Sequence, residues 1–222
     1  MIEHFVEHFV GYLHDYDGEA LTVIAPYNDE RKLLKQGITQ CEITLTDGRS
    51  ISAQQRKKAY ATIRDIAVYS GDVPEYIKEH LKWMFCAENG IEGFSLSDCD
   101  MSTAREFISY ILEFAISWGI PLSESAISRT DDIGRYLYFC IEHRVCAVCG
   151  KRADLHHVDH VGMGRDRKTI IHIGMQAEAL CREHHEECHS EGQKTFDEKY
   201  HIYGIELDEW LCKKLGLKAQ AD

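Results

Sequence analysis

Between positions 146 and 189 the chain carries Cys-Ala-Val-Cys-Gly at 146–150, His-His-Val-Asp-His at 156–160, and Leu-Cys-Arg-Glu-His-His-Glu-Glu-Cys-His at 180–189. No other feature restricts the fold as strongly, because metal ligands must converge wherever the rest of the chain goes. Two cysteines separated by two residues on a turn point both sulfurs at one ion, and Gly150 eases that turn. Cys181 and His184 have the same spacing and could complete a tetrahedral Cys3His site with Cys146 and Cys149, with Cys188 left open as a replacement for His184. The intervening stretch, 150–180, is longer than the ~12 residues inside a Cys2His2 finger, so a structure is built between the two halves. Nine cysteines cannot all pair, and a reducing compartment favours metal binding over a disulfide framework. Cys41, Cys86, Cys99, Cys140 and Cys212 then read as inert core thiols.

A second constellation overlaps the first. If the segment after Cys181 is helical, His185 and His189 form an i,i+4 pair on one face, about 100° from His184, so one helix can serve two metals. His156 and His157 read as strand neighbours on opposite faces, able to share a site where the strand ends or bends near Gly162 and Gly164.

The remainder reads as α+β. An apolar run over 4–13, then Asp17-Gly18, then 20–25 predicts a hairpin; a helix over 29–36 and a strand over 41–46 follow. Ser52 can cap a helix with Ala59, Ile63, Ile66 and Ala67 on one face. Helices are expected over 74–88, 101–118 and 131–144. The division is 1–140 and 141–222. Lys and Arg number 25 against 37 Asp and Glu, a net charge of −12, so nucleic-acid binding has to come from local patches. Arg49, Arg56, Lys57 and Lys58 lie on an acid-free stretch, 49–64, and Arg165, Arg167 and Lys168 on the loop between the presumed strands; both groups are candidates for phosphate contacts. No apolar run approaches the ~20 residues of a membrane span and the N-terminus lacks a signal-peptide pattern, so a cytoplasmic location without membrane contact is expected.

The order Cys-x2-Cys, His-His, Leu-Cys-x2-His-His-x3-His resembles the HNH endonucleases, in which a hairpin and a helix clasp one divalent ion in a ββα-metal fold. That resemblance covers about 144–203. It implies that His156, His185 and His189 ligate a catalytic divalent metal (Mg2+, Mn2+, Ni2+ or Zn2+), that His157 is the general base, and that Cys146, Cys149, Cys181 and His184 hold a structural zinc. Three imidazoles favour Mn, Ni or Zn over Mg, which prefers oxygen. The family's orienting Asn is Gln176 here, an amide with one more rotatable bond; His172 is a second candidate for that role, and Asp159-His160 an alternative ligand and base pair.

Residues 1–128 are similar, in the order of Thr46 to Lys57, Arg64-Asp65-Ile66, 82–85, 102–114 and Gly119-Ile120, to the phage recombination family Orf or NinB. This implies single-stranded or branched DNA as partner, an association with single-strand-binding protein, and a homodimer, in the cytoplasm of the host cell. The combined expectation is a metal-dependent HNH endonuclease acting in phage DNA recombination or replication; the alternative is a non-catalytic, zinc-containing mediator that binds single strands.

Overall fold

A computed structural model of the protein describes residues 11–27, 31, 35, 43, 48–158 and 171–219. The chain divides into two compact units, 1–45 and 46–222. In the first, β1 (Tyr12–Tyr16) pairs antiparallel with β2 (Leu21–Ile24). Gly18 takes φ +103°, and the Asp17 carboxylate accepts the backbone N–H groups of Glu19 and Ala20 at 2.9 and 2.7 Å, the turn that Asp-Gly predicts. The turn closes directly onto Tyr16, which pairs with Leu21, so the described first arm runs on past position 13, where the expected run ended. Residues 4–10, and most of the expected helix at 29–36 and strand at 41–46, lie outside the described residues.

The second unit opens with α1 (Ala53–Ser70). Ser52 and Gln55 close a reciprocal capping box, with Gln55 N–H to Ser52 Oγ at 3.1 Å and Ser52 N–H to Gln55 Oε1 at 3.0 Å. α2 (Pro74–Asn89) starts on proline, whose fixed φ suits the first helical position. α3 (Met101–Ser117) is capped by Asp100. Ala59, Ile63 and Ile66 of α1 meet Leu81 and Phe85 of α2 and Phe107, Ile108, Ile111 and Leu112 of α3 in one core.

Next, α4 (Ala126–Arg129) delivers Arg129, whose side chain is 2% exposed, to Asp65 of α1 at 2.7 Å and to Ser123 Oγ at 2.7 Å. A buried charge left without its counter-ion is costly. Asp65→Ala is therefore expected to lower unfolding stability by about 3 kcal/mol in a denaturant titration; a change below about 1 kcal/mol would mean that Ser123 and Glu124 suffice for the guanidinium.

A second core gathers around α5 (Ile133–His143), which presents Tyr136, Leu137, Cys140 and Ile141 to a three-stranded antiparallel sheet. The sheet has the order β3 (Asp154–His157), β4 (Gln176–Leu180), β5 (Ile205–Glu206). α6 (Arg182–Glu191), α7 (Gln193–Tyr200) and α8 (Glu209–Leu215) complete it, with Phe196 and Leu211 fully buried. The β3–β4 hairpin followed by α6 is a ββα unit. Cys140 and Cys212 lie in this core as expected, and Cys86 and Cys99 are half-buried. Position 140 falls inside α5. The described part of the protein is thus a mixture of helices and small sheets, and no described helix is long and apolar enough to cross a membrane.

Candidate metal centre and active site

The Cys-x2-Cys turn follows the left-handed cap of α5 at Arg144 (φ +53°). Val145 and Arg152 bridge across it, the Cys146 N–H donates to the Lys151 carbonyl at 2.7 Å, and Gly150, at φ +72°, donates to the Cys146 carbonyl at 2.9 Å. The left-handed φ explains the glycine. Tyr136 Oη donates to the Ala147 carbonyl at 2.7 Å and fixes the turn to the core. On the opposite side, β4 runs straight into Cys181, the N-cap of α6, and one turn later into His184.

These four side chains converge. Their ligand atoms lie within 4.8 Å of one another. Cys149 Sγ is 3.6 Å from Cys181 Sγ, and His184 Nδ1 is 3.2 Å from Cys181 Sγ and 3.5 Å from Cys146 Sγ. Tetrahedral zinc with ordinary Zn–S and Zn–N bonds requires separations of about 3.6–3.8 Å, so small side-chain rotations suffice. Burial disfavours the Cys181 thiolate, yet the His184 backbone N–H, its ring and the neighbouring thiols outweigh burial and bring the pKa down to about 7, toward the form that ligates. The cluster could hold a metal such as zinc. Cys188 is not part of it: its sulfur is 3.7 Å from His156 Nε2, on another side of α6.

The second cluster uses that other side. The pleat of β3 turns His156 inward, where it is 5% exposed, and His185 and His189 reach it from α6. The His156 ring centroid is 4.7 Å from that of His185 and 5.2 Å from that of His189, which are themselves 4.6 Å apart; the ligand atoms lie within 4.8 Å. Burial, then the neighbouring imidazole charges, holds His185 below its usual value, and burial does the same for His156. Both effects favour the neutral, ligating form. His189 is exposed and His185 half-buried, so the trio opens to the surface. Three convergent imidazoles beside an open face suit a divalent transition ion that keeps positions for substrate.

His157 is the last residue of β3 and faces away from His156; its Nε2 is 2.9 Å from Nδ1 of His172, which is 4% exposed. Gln176 opens β4 and its carbonyl accepts the Val158 N–H at 2.9 Å. Its side chain packs against Gly204, where a Cβ would stand 2.9 Å from Val158 Cγ2 and 3.0 Å from Gln176 Cβ, so a glycine is needed for this approach. Asp159, His160, Arg165, Arg167 and Lys168 lie outside the described residues.

The cations of α1 divide by environment. Arg56 donates to the Leu96 and Ser97 carbonyls at 3.0 and 2.8 Å, and Lys58 donates to the Thr130 carbonyl at 2.8 Å and pairs with Asp131. These two brace α1, whereas Lys57 and Arg49 are exposed. Arg49 lines a cleft of about 340 Å³ with Ser52, Gln54, Met101 and Arg105; none of the site histidines lines it.

A layer behind His156 escaped the sequence reading. Glu178, directly across from His156 in the β3–β4 register, is 2% exposed, and burial, then the charge of Asp197, pushes its pKa up to about 7. Gln193, at the start of α7, joins both carboxyls to His156. The available signal was one acid inside the apolar strand Ala177-Glu178-Ala179-Leu180, since a buried carboxyl requires partners.

A family model described as "Putative HNHc nuclease" matches residues 25–218. No curated protein and no solved structure matches the chain. The match takes in the α1–α3 core as well as both metal-capable clusters, so membership rests on most of the chain: this protein belongs to the HNHc nuclease family.

Proposed function

We propose that the protein is a metal-dependent HNH endonuclease that nicks or cleaves DNA phosphodiester bonds. The observation that carries this reading is the meeting of His156, from a strand, with His185 and His189, from a helix whose other side completes a Cys3His cluster. In this reading Cys146, Cys149, Cys181 and His184 hold a structural zinc, and His156, His185 and His189 hold the catalytic divalent ion. When bound, that ion supplies positive charge at the scissile phosphate.

The chain's own groups do the rest. His157 takes the proton of the attacking water at Nδ1, and the imidazolium so formed donates its Nε2–H to His172 Nδ1. His172 therefore holds the ring plane while the proton moves. Gln176 keeps the end of the hairpin in register through its backbone bond to Val158. Arg49 and Lys57, with Arg165, Arg167 and Lys168 from the sequence between β3 and β4, contact DNA phosphates, and Arg56 and Lys58 fix the helix that carries Lys57. The biological setting we infer is phage recombination or replication, on single-stranded or branched DNA, with residues 1–140 engaging the nucleic acid and 141–222 cutting it. A homodimer and contact with single-strand-binding protein accompany that setting.

Purified protein incubated with supercoiled plasmid and branched DNA in Mn2+, Ni2+ or Mg2+ is expected to nick or cut, and His185→Ala is expected to lose cleavage while retaining one zinc per chain. A wild type that binds DNA and one zinc but leaves every substrate intact would identify the non-catalytic mediator instead.

A further inference from the structure

We propose that Gln193 is a positioning residue that selects the nitrogen His156 offers to the catalytic ion. The inference rests on the reading of His156 as a ligand. A neutral imidazole carries one hydrogen, and only the nitrogen without it can bind a metal. Which nitrogen that is depends on the hydrogen bond made by the other.

Gln193 Oε1 lies 2.9 Å from His156 Nε2. An amide can turn either end toward a ring, so this contact alone does not say which atom donates. The carboxyls behind it decide. Gln193 Nε2 is 3.1 Å from Glu178 Oε2 and 2.7 Å from Asp197 Oδ1. Reversing the amide would set its oxygen against Asp197 Oδ1 at the shorter, 2.7 Å contact and turn its NH2 away from both acids. With the NH2 held by the acids, Oε1 must face the imidazole, and an oxygen without hydrogen can only accept. Cys188, whose thiol donates to the same Oε1 at 3.3 Å, is a second donor on that side and reinforces the polarity.

His156 therefore carries its hydrogen on Nε2 and presents Nδ1 as the ligand atom. The order Asp197 and Glu178, Gln193, His156 forms a relay of fixed direction. It also accounts for a buried Glu178 directly opposite His156 in the sheet, where an apolar residue would otherwise be expected. Gln193 occupies the first turn of α7, immediately after Gly192, so the α6–α7 connection sets its distance from the ring.

The test pairs a spectrum with a titration on the full chain carrying its structural zinc. Long-range 15N–1H correlation of the histidine rings, before any second metal is added, is expected to show His156 with hydrogen on Nε2. Calorimetric titration with Ni2+ is expected to give one site in wild type, and an affinity about 10–100-fold lower in Gln193→Met, with zinc content and melting temperature retained. In that variant the His156 signal is expected to become a mixture of tautomers. A wild-type His156 with hydrogen on Nδ1, or a Gln193→Met protein that binds Ni2+ as tightly as wild type, would overturn the proposal. If the variant does not fold, the wild-type spectrum still decides it. A wild type with the Nε2–H tautomer that takes up no Ni2+ would overturn the ligand role, and the nuclease reading with it, while leaving the direction of the relay established.

Discussion

His157→Ala is expected to retain zinc, the second metal and DNA affinity, and to cleave about 10²–10⁴-fold more slowly than wild type. The size follows from what a positioned base contributes to proton transfer in the transition state. The separation of effects follows from the pleat: His157 points away from His156, so truncating it removes no member of the ligand trio. Its Nε2 bond to His172 makes a second, smaller effect checkable. His172→Ala leaves the base in place without its orienting acceptor, and its loss of rate is expected to be smaller than that of His157→Ala. Single-turnover cleavage of a nicked-site plasmid, with metal occupancy measured in parallel, reads both. Equal rates for His157→Ala and wild type would remove His157 from the chemistry.

Cys181→Ser is expected to have the largest effect on stability. Cys181 links β4 to α6 and sits in the same buried cluster as Leu180, Cys146 and Phe196, so its sulfur is part of the core as well as part of the ligand set. Structural zinc sites contribute on the order of 10 kcal/mol to folding where no preformed core substitutes for them. Here a core exists, and the loss is expected to be a large fraction of total stability, which for a domain is about 5–15 kcal/mol. The variant should lose its stoichiometric zinc and its cooperative thermal transition near that of wild type. Cys188→Ser, by contrast, should keep the zinc, because that sulfur lies against His156 and Gln193. A Cys181→Ser protein that melts with wild type and retains zinc would show that the four side chains are only neighbours.

Much of this arrangement was legible in the sequence because metal ligation and capping are local. Ser52 marked the start of the first helix and Pro74 that of the second, and the i,i+4 spacing of His185 and His189 placed two ligands on one side of α6. The spacing of Cys146, Cys149, Cys181 and His184 led to the group that the fold brings together. What stayed hidden depends on long-range register. Gln193 meets His156 only because the α6–α7 turn at Gly192 folds the chain back, and Glu178 lies behind it only because β3 and β4 pair with His156 opposite residue 178. The partners of the basic stretch were hidden for the same reason: Arg56 and Lys58 find carbonyl and carboxylate groups far away in sequence, which composition alone does not show. His172 was visible as a candidate but its contact with His157 needed the 172–175 turn that brings it to the end of the hairpin.

An anomalous-scattering map from a crystal containing native zinc and soaked with Mn2+ tests the central claim most directly, since it counts the ions and names their ligands together. Two peaks are expected on different sides of α6: zinc among Cys146, Cys149, Cys181 and His184, and manganese among His156, His185 and His189, with the bond to His156 made by Nδ1. One peak at the cysteines and none at the histidines, in crystals of protein saturated with Mn2+, would contradict it.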